Sequence, residues 1–353
     1  MVEPLIWVLL GRKAGDNTQV LALADALGLP YEPKQISARS WELLPHLIFG
    51  ATLAGIHQRQ SSPLIAPWPD LVITAGRRNE PVARWIQQQS GACTRLVHLG
   101  RPWAALSRWD LIITTGQYFL PRADNILHNQ LPLLRLQPEQ LSAAGEQWLP
   151  TLQNLPRPWV ALMVGGDSGR FVLTPDKAAR LGRQANRLAE QAGGSLLITD
   201  SPRTPAASFE SLQQQLTVPT HCFRFGSGGG GGANPYLGYL ALADEFVITG
   251  ESMSMLAEAA SCGKPLHIFD MEDAGSWWRH RHLFRFKPLS HRLAMRLGPQ
   301  RMRRDIGRIQ QLLVGSGAAH WLSDGEPSGS CVAPDAAAEL ATTAARVRQL
   351  LQS

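Results

Sequence analysis

The chain has 353 residues, a formal net charge of +6 and a hydrophobic content of 44%. This length suits two domains of ordinary size, and the apolar content is sufficient for two cores. The longest apolar stretch, residues 43–56, contains Pro45 and His46. It falls short of the roughly 20 apolar residues that span a bilayer, which excludes a transmembrane helix there.

Short apolar runs that end in Gly or a polar turn predict the strands of the first half. Their hydrophobicity is continuous rather than alternating, which is typical of strands buried on both faces of a parallel sheet. Helical patterns lie between them, and the first of these ends at Gly28, with Pro30 just beyond. In chain order we predict strand 5–10, helix 17–27, strand 71–76, helix 80–90 and strands 96–100 and 111–116.

The second half repeats this alternation after a proline-rich break at residues 136–158. We therefore predict an α/β fold with two Rossmann-like domains, 1–145 and 146–353, facing each other across a cleft. The pattern leaves open which half the last helix, 335–351, packs against. In chain order the second half is predicted to contain strand 159–166, helix 176–192, strands 195–200, 221–225 and 246–250, helix 252–262 and strand 265–270.

Four cysteines are spread along the chain without a Cys-x-x-Cys pair. This spacing predicts reduced thiols in a cytosolic protein and no zinc site. The first four residues, Met-Val-Glu-Pro, carry no basic n-region, so we expect no signal peptide and a cytoplasmic location. The cysteines are Cys93, Cys222, Cys262 and Cys331.

A glycine-rich loop, residues 164–170 with the sequence VGGDSGR, follows the predicted strand 159–166. Glycines allow backbone N–H groups to approach phosphate oxygens, and a serine hydroxyl and an arginine add further donors. The alternative is a tight strand turn in which Asp167 bonds its own backbone. The residues predicted to bind phosphate are Gly165, Gly166, Ser168, Gly169 and Arg170.

The segment 249–265 predicts a strand end followed by a helix that Ser252 caps. The start of this helix carries Ser252, Met253 and Ser254 and forms an anion site at the end of a strand. Glu258 lies two turns into the helix, where a carboxylate can accept hydrogen bonds from both hydroxyls of a ribose. The residues alone equally allow an ordinary capped helix with Glu258 in solvent.

A third motif, residues 11–19, follows the first predicted strand, at the edge of an α/β sheet where ligands bind. Asp16 is a candidate general base there. Equally, Asp16 or Asn17 caps the helix that follows. Cations that follow later predicted strands either meet an acidic partner or form ordinary surface charge. These cations are Arg77, Arg78 and Arg101.

The positive charge is concentrated between Trp277 and Arg308, where ten Lys or Arg residues and one acid, Asp305, give +9 and leave −3 for the rest. A local basic stripe indicates an anionic partner. Aromatic rings among these cations favour an anionic membrane surface, which the apolar residues 41–56 could also contact. The alternatives are Trp277 and Trp278 packed between the domains, a core helix for the apolar stretch, and a solvated arginine face. No nucleic-acid-binding module is recognisable, so no nucleic-acid partner is expected.

Over nearly its whole length the chain resembles the bacterial relatives of the plant "elongated mitochondria" fission family, which are similar to GT-B glycosyltransferases. Glu251 departs from the family pattern, which has Asp there, and Gly116-Gln117 replace a His-Asp pair. The segments that carry the resemblance are Asn234-Pro235-Tyr236, 240–244, 252–255, Glu258-Ala259 and 263–265, with weaker support from Asn17, Gln19 and Asn125-Ile126.

The second half is also similar to the donor half of the N-acetylglucosaminyltransferase that makes lipid II. That resemblance rests on loop 165–169, which corresponds to a loop near the diphosphate, and on Glu258, which corresponds to a ribose-binding Glu seven residues before a Pro. In this chain that proline is Pro265.

Together these resemblances imply an enzyme that moves a sugar from a nucleoside-diphosphate sugar, with UDP as the expected carrier, to a lipid or lipid-linked acceptor. The first domain would bind the acceptor, with Asp16 as the base, and the second would bind the nucleotide sugar. We expect no cofactor beyond this co-substrate, and no metal because the chain has no Asp-x-Asp sequence. Helix N-termini and Arg170 would stabilise the leaving group instead. The alternatives are a non-catalytic adaptor with the same fold and a sugar-nucleotide epimerase.

Overall fold

A computed structural model describes residues 3–39, 50–168, 171–226, 233–271, 304–323 and 331–352. This part of the chain forms two compact units. The first runs to Arg135 and also includes Arg304, Asp305 and the chain from Asp335. The second begins at Leu136 and includes the stretch that begins at Ile306. Each unit has its own sheet.

The described strands of the first unit form a six-stranded sheet with the order β2-β1-β3-β4-β5-β6, in which all neighbours are parallel. Continuous apolar sequence buries β1, β3 and β5 along their whole length, as a sheet covered on both faces requires. The elements are β1 (Ile6–Leu10), α1 (Ala14–Leu27), β2 (Glu32–Gln35), β3 (Leu71–Ala75), α2 (Gly76–Gln89), β4 (Arg95–Leu99), β5 (Leu111–Thr115) and β6 (Ile126–Asn129).

The described strands of the second unit form another six-stranded parallel sheet, with the order β12-β11-β10-β7-β8-β9. Its elements are α3 (Pro138–Leu152), β7 (Trp159–Met163), α4 (Pro175–Gln191), β8 (Ser195–Thr199), α5 (Ala206–Gln213), β9 (Thr220–Phe223), α6 (Tyr236–Leu242), β10 (Glu245–Thr249), α7 (Met253–Ser261), β11 (Leu266–Phe269), α8 (Gly307–Gly315) and β12 (His320–Trp321).

The last helix, α9 (Ala336–Gln352), packs on the first unit and resolves the alternative that the sequence left open. Ala344 and Val347 join the core that β1 and α1 build. Arg348 donates to the carbonyl of Leu27 over 3.1 Å and thereby satisfies an end of α1. The division observed between the units falls before α3, whereas the boundary expected at residues 145 and 146 falls inside that helix.

Two all-parallel α/β sheets confirm the predicted Rossmann-like, GT-B-like fold class. In such sheets ligands bind outside the carboxyl ends of the strands where the strand order reverses. The order reverses between β1 and β3 in the first unit and between β7 and β10 in the second. The Gly165–Ser168 loop follows β7 and the start of α7 follows β10, so both donor motifs flank the second reversal point.

None of the helices in the described part of the chain is long and apolar enough to cross a membrane. The basic segment 277–303 and residues 41–49 lie outside the described residues. Of the neighbouring described residues, Ile56 is buried in the first unit's core, and Arg304 and Arg308 are exposed.

Candidate functional site

The glycines of the loop after β7 allow close approach to side chains from β10 and from the residues that follow it. Gly165 N donates to Thr249 Oγ1 over 2.8 Å, and Gly166 N donates to Glu251 Oε1 over 2.7 Å. A Cβ at Gly165 would overlap Glu251 Oε1, and a Cβ at Gly166 would overlap the carbonyl of Arg203. Both amides predicted to bind phosphate are therefore engaged by acceptors of the protein itself.

The two other described residues of this loop, Asp167 and Ser168, bond to residues that follow the loop. Asp167 Oδ1 accepts from Leu173 N over 3.0 Å. Ser168 and Phe171 exchange two backbone hydrogen bonds of 2.9 and 3.0 Å. The Ser168 side chain is partly exposed. Gly169 and Arg170 lie outside the described residues.

Arg203, in the loop after β8, places a cation at the reversal point. The sequence interpretation did not include this residue. Its Nη1 donates to the carbonyl of Asp167 over 3.2 Å, and its Nη2 lies 3.5 Å from Ser252 Oγ and 3.7 Å from Glu251 Oε1. The side chain is 40% exposed, so it also faces solvent. The one signal in the sequence was its position three residues after the predicted strand 195–200, and no motif marks it.

The N-terminus of α7 lies beside this arginine. Ser252 occupies the N-cap position but its side chain caps no backbone N–H. Instead its hydroxyl accepts from Arg203. Ser252 and Met253 are buried, whereas Ser254 is partly exposed. The helix end, its hydroxyl and the arginine thus present positive potential at one point.

Glu258, two turns into α7, bonds to Tyr236 at the start of α6. The tyrosine hydroxyl donates to Glu258 Oε2. Burial raises the pKa of Glu258 to about 7, and the hydrogen bond from Tyr236 opposes this rise. The structure thus places Tyr236, of the Asn-Pro-Tyr segment, in contact with Glu258, the predicted ribose ligand. This differs from the alternative in which Glu258 lies in solvent.

In the first unit, the loop after β1 is held by Asn17. Its Oδ1 accepts from Gly11 N over 2.8 Å, and its Nδ2 donates to the carbonyl of Gly11 over 2.9 Å. Helix α1 begins at Ala14, earlier than expected, so Asp16 and Asn17 lie in its first turn and do not occupy the N-cap position. The cap interpretation of these two residues is therefore wrong, since the N-cap residue is Lys13.

Asp16 lies at the strand-order reversal of the first unit, in a pocket of about 60 Å³. It forms an ion pair with Lys13 at 3.8 Å. Gly76 has φ +71°, and a Cβ there would lie 2.7 Å from Asp16 Oδ2, so the start of α2 approaches the carboxylate closely. The charged residues that line the pocket are Arg12, Lys13, Asp16, Arg77 and Arg78.

Arginines stack on aromatic rings at the same edge of this sheet. Arg77 lies 4.7 Å from the ring centroid of Trp103. Arg101 and Arg304 lie 5.6 and 5.8 Å from that of Tyr118. Arg304 also donates from Nε to Gln117 Oε1 over 2.8 Å. The structure therefore adds Arg304, distant in sequence, to the predicted cations.

In each unit some of the predicted residues lie together at the reversal point. The second brings Gly165, Gly166 and Ser252 together with Arg203, and the first brings Asp16 together with Arg77 and Arg78. Within the described residues no group of three or more His, Cys, Asp or Glu side chains could hold a metal ion.

Comparison with known proteins gives a family match and structural neighbours. Residues 14–297 match the protein family described as Mitochondrial fission ELM1. The chain is 25% identical over 222 residues to the mitochondrial fission protein ELM1 of Arabidopsis thaliana, a match that covers 57% of this chain and 51% of that protein. It therefore spans about half the length of this relative. It is also 25% identical over 295 residues to an uncharacterized protein of Rickettsia prowazekii, with 75% and 82% of the two chains covered.

Among solved structures, the UDP-GlcNAc 2-epimerase of Neisseria meningitidis, bound to UDP-GlcNAc, aligns with a TM-score of 0.50 and 12% identity. The alignment covers 99% of this chain and 100% of that one. At this identity the likeness concerns the fold alone.

Proposed function

The chain belongs to the Mitochondrial fission ELM1 family, and on this premise we propose that it is a glycosyltransferase that uses a nucleoside-diphosphate sugar, with UDP as the carrier. One observation carries the proposal. The glycine loop after β7, the N-terminus of α7 and Arg203 meet at the strand-order reversal of the second unit. Open α/β sheets bind nucleotides at that point.

The diphosphate would bind to Arg203, Ser168 and the start of α7, with Ser252 and Ser254 as hydroxyl donors. The amides of Gly165 and Gly166 are engaged by Thr249 and Glu251, so we assign these glycines a supporting role. The guanidinium and the helix end supply the positive charge that a leaving diphosphate needs without a bridging metal. Gly169 and Arg170 are proposed as further ligands on sequence alone.

Glu258 would hold the ribose. It lies two turns into α7, and its Oε2 is already fixed by Tyr236. A carboxylate fixed in this way can accept hydrogen bonds from the two ribose hydroxyls. Binding of the nucleoside is thereby assigned to the same helix that binds the diphosphate.

The acceptor is assigned to the first unit. In the reaction an acceptor hydroxyl bonds to the anomeric carbon, the bond to the diphosphate oxygen breaks, and a carboxylate takes the hydroxyl proton. Asp16 is the one acid among the residues that line the described pocket, and we propose it as this base. Arg77, Arg78 and Arg101 favour an anionic acceptor, such as a lipid that carries phosphate.

A peripheral membrane position would suit such an acceptor. The basic stretch from Trp277 to Arg308, with its aromatic residues, suits an anionic cytoplasmic leaflet. Sedimentation with anionic vesicles in low and high salt tests this position. Protein that stays in the supernatant at low salt would favour a water-soluble acceptor.

The decisive experiment is transfer from radiolabelled UDP-sugars into a bacterial membrane lipid extract. We expect label in the lipid phase with the wild-type protein, and loss of transfer with Arg203→Met. Arg183→Met, which removes an exposed arginine of α4, serves as the matched control and should retain transfer. UDP binding without turnover would indicate an adaptor, and a changed free nucleotide sugar without lipid product would indicate an epimerase.

A further inference from the structure

Glu251 is a buried carboxylate at the point where the proposed donor site is built. Its side chain is 0% exposed. Oε1 accepts from Gly166 N over 2.7 Å, whereas Oε2 is buried and has no hydrogen-bond partner in the described part of the chain. Ionisation of a carboxyl group in this position is costly because burial removes it from solvent.

The charge that faces Glu251 is Arg203. Its Nη2 lies 3.7 Å from Glu251 Oε1 and 3.5 Å from Ser252 Oγ, so the guanidinium is shared between the carboxylate and the start of α7. Asp200, which follows β8, and Arg224, which follows β9, pair with each other at 3.3 Å. The carboxylate of Asp167, on the adjacent loop, accepts from Leu173 N, so it too has its own partner.

We propose that Glu251 is a positioning residue of the diphosphate site and that it takes up a proton from solvent when a nucleoside diphosphate binds. This inference rests on the proposed function and adds a role for a residue outside the predicted ligands. In the protonated form, Oε1 still accepts from Gly166 N. Because the neutral carboxyl group no longer attracts the guanidinium, the full positive charge of Arg203 is available to the phosphate oxygens.

Electrostatics gives the direction of this coupling. Burial raises the pKa of Glu251 to about 7, against the lowering effects of Arg203, of the backbone amides of Gly166 and Glu251 and of the Thr249 hydroxyl. A diphosphate that binds Arg203 brings negative charge close to the carboxylate and raises its pKa further. Because proton binding at Glu251 and anion binding favour each other, the contribution of Glu251 to the affinity for the diphosphate rises as the pH falls.

Calorimetric titration of UDP at pH 6, 7 and 8, in buffers of different protonation enthalpy, tests the proposal. Glu251→Gln keeps an oxygen for Gly166 N but cannot titrate, and the titrations of UDP and of Glu258 are common to both proteins. We expect wild-type affinity to fall about tenfold from pH 6 to pH 8 relative to the variant. At pH 7 the wild-type protein should take up about half a proton more than the variant.

Equal pH dependence and equal proton uptake in the two proteins would overturn the inference and leave UDP binding intact. Pyrophosphate in the same titrations separates the two proposals. Pyrophosphate binding with Glu251-dependent uptake, without UDP binding, would support the inference and contradict the proposed function. If neither ligand binds, both are overturned.

Arg203→Met is the second variant, should Glu251→Gln fail to fold. Without its cation partner, Glu251 would stay protonated to higher pH. The extra proton uptake at pH 7 should then fall toward zero, measured with pyrophosphate or UDP at concentrations that allow for weaker binding. Uptake equal to that of the wild-type protein would contradict the proposal.

Discussion

The hydroxyl of Tyr236 donates to the carboxylate of Glu258, and this hydrogen bond joins the first residue of α6 to the second turn of α7. The bond fixes the orientation of the carboxylate that we assign to the ribose. It also opposes the rise in the pKa of Glu258 that burial causes.

Tyr236→Phe should therefore weaken UDP binding about tenfold at pH 7, because a hydrogen bond of roughly 1 kcal/mol is lost and Glu258 becomes protonated more readily. Tyr239→Phe is the matched control in the same helix, since the Tyr239 hydroxyl bonds His221 and not Glu258. It should lower stability without changing the affinity, measured by calorimetry. If both variants weakened UDP binding equally, the cause would be a general disturbance of α6 and not the loss of the hydrogen bond to Glu258.

Gly165→Ala should displace Glu251 and Thr249. A Cβ at this position overlaps Glu251 Oε1 and lies 2.9 Å from Thr249 Oγ1, so we expect a loss of about 2–4 kcal/mol in unfolding free energy. Gly315→Ala is the control in the same unit, because nothing lies within 4 Å of its Cβ position at the end of α8. Urea unfolding should show it within about 1 kcal/mol of the wild-type protein. Similar losses for both variants would contradict the described packing.

Asn17→Ala removes both side-chain hydrogen bonds to Gly11 and should loosen the loop that carries Asp16. We expect transfer to lipid to fall at least about tenfold while UDP affinity stays within about twofold, since the loop belongs to the other unit. Thr18→Ala is the neighbouring control, because the hydroxyl of Thr18 bonds, within the described residues, only the Ala14 carbonyl of its own helix. A parallel loss of UDP affinity in Asn17→Ala would argue against the assignment of acceptor and donor to separate units.

The buried carboxylate of Glu251 should make the second unit less stable as the pH rises. Its folded pKa of about 7 exceeds its ordinary value of 4.5, so the folded state holds the proton more tightly. The destabilisation is absent below pH 4.5, develops between 4.5 and 7, and is complete above 7, up to about 3 kcal/mol. Urea midpoints of Glu251→Gln and wild type should therefore diverge between pH 5 and pH 8. A constant difference across this range would show that Glu251 does not titrate there.

The sequence predicted the buried strands well because a continuous apolar run, such as that of β7, is typical of a strand buried on both faces of a parallel sheet. It missed the edge strands β2, β6 and β12, since β2 has the polar sequence EPKQ, β6 has only two apolar residues and β12 is two residues long. Short helices such as α6, with seven residues, also carry too little periodicity to be recognised.

The candidate site was only partly predictable for a similar reason. Glu258 and the glycine loop belong to local motifs, whereas the partner of Gly165, Thr249, lies 84 residues away. Arg203 stands in a loop without a recognisable pattern, and only the parallel order of β7, β8 and β10 brings it to Glu251. The engagement of the two glycine amides could not be foreseen, because it depends on this tertiary contact.

Titration of UDP into the wild-type protein and Glu258→Ala tests the central claim, a nucleotide site in the second unit, most directly. Glu210→Ala, which removes an exposed carboxylate of α5, is the control for a lost charge in that unit. We expect saturable UDP binding to the wild-type protein, unchanged affinity in Glu210→Ala and at least about tenfold weaker binding in Glu258→Ala. Absence of binding to the wild-type protein, or equal affinity in Glu258→Ala, would contradict the claim.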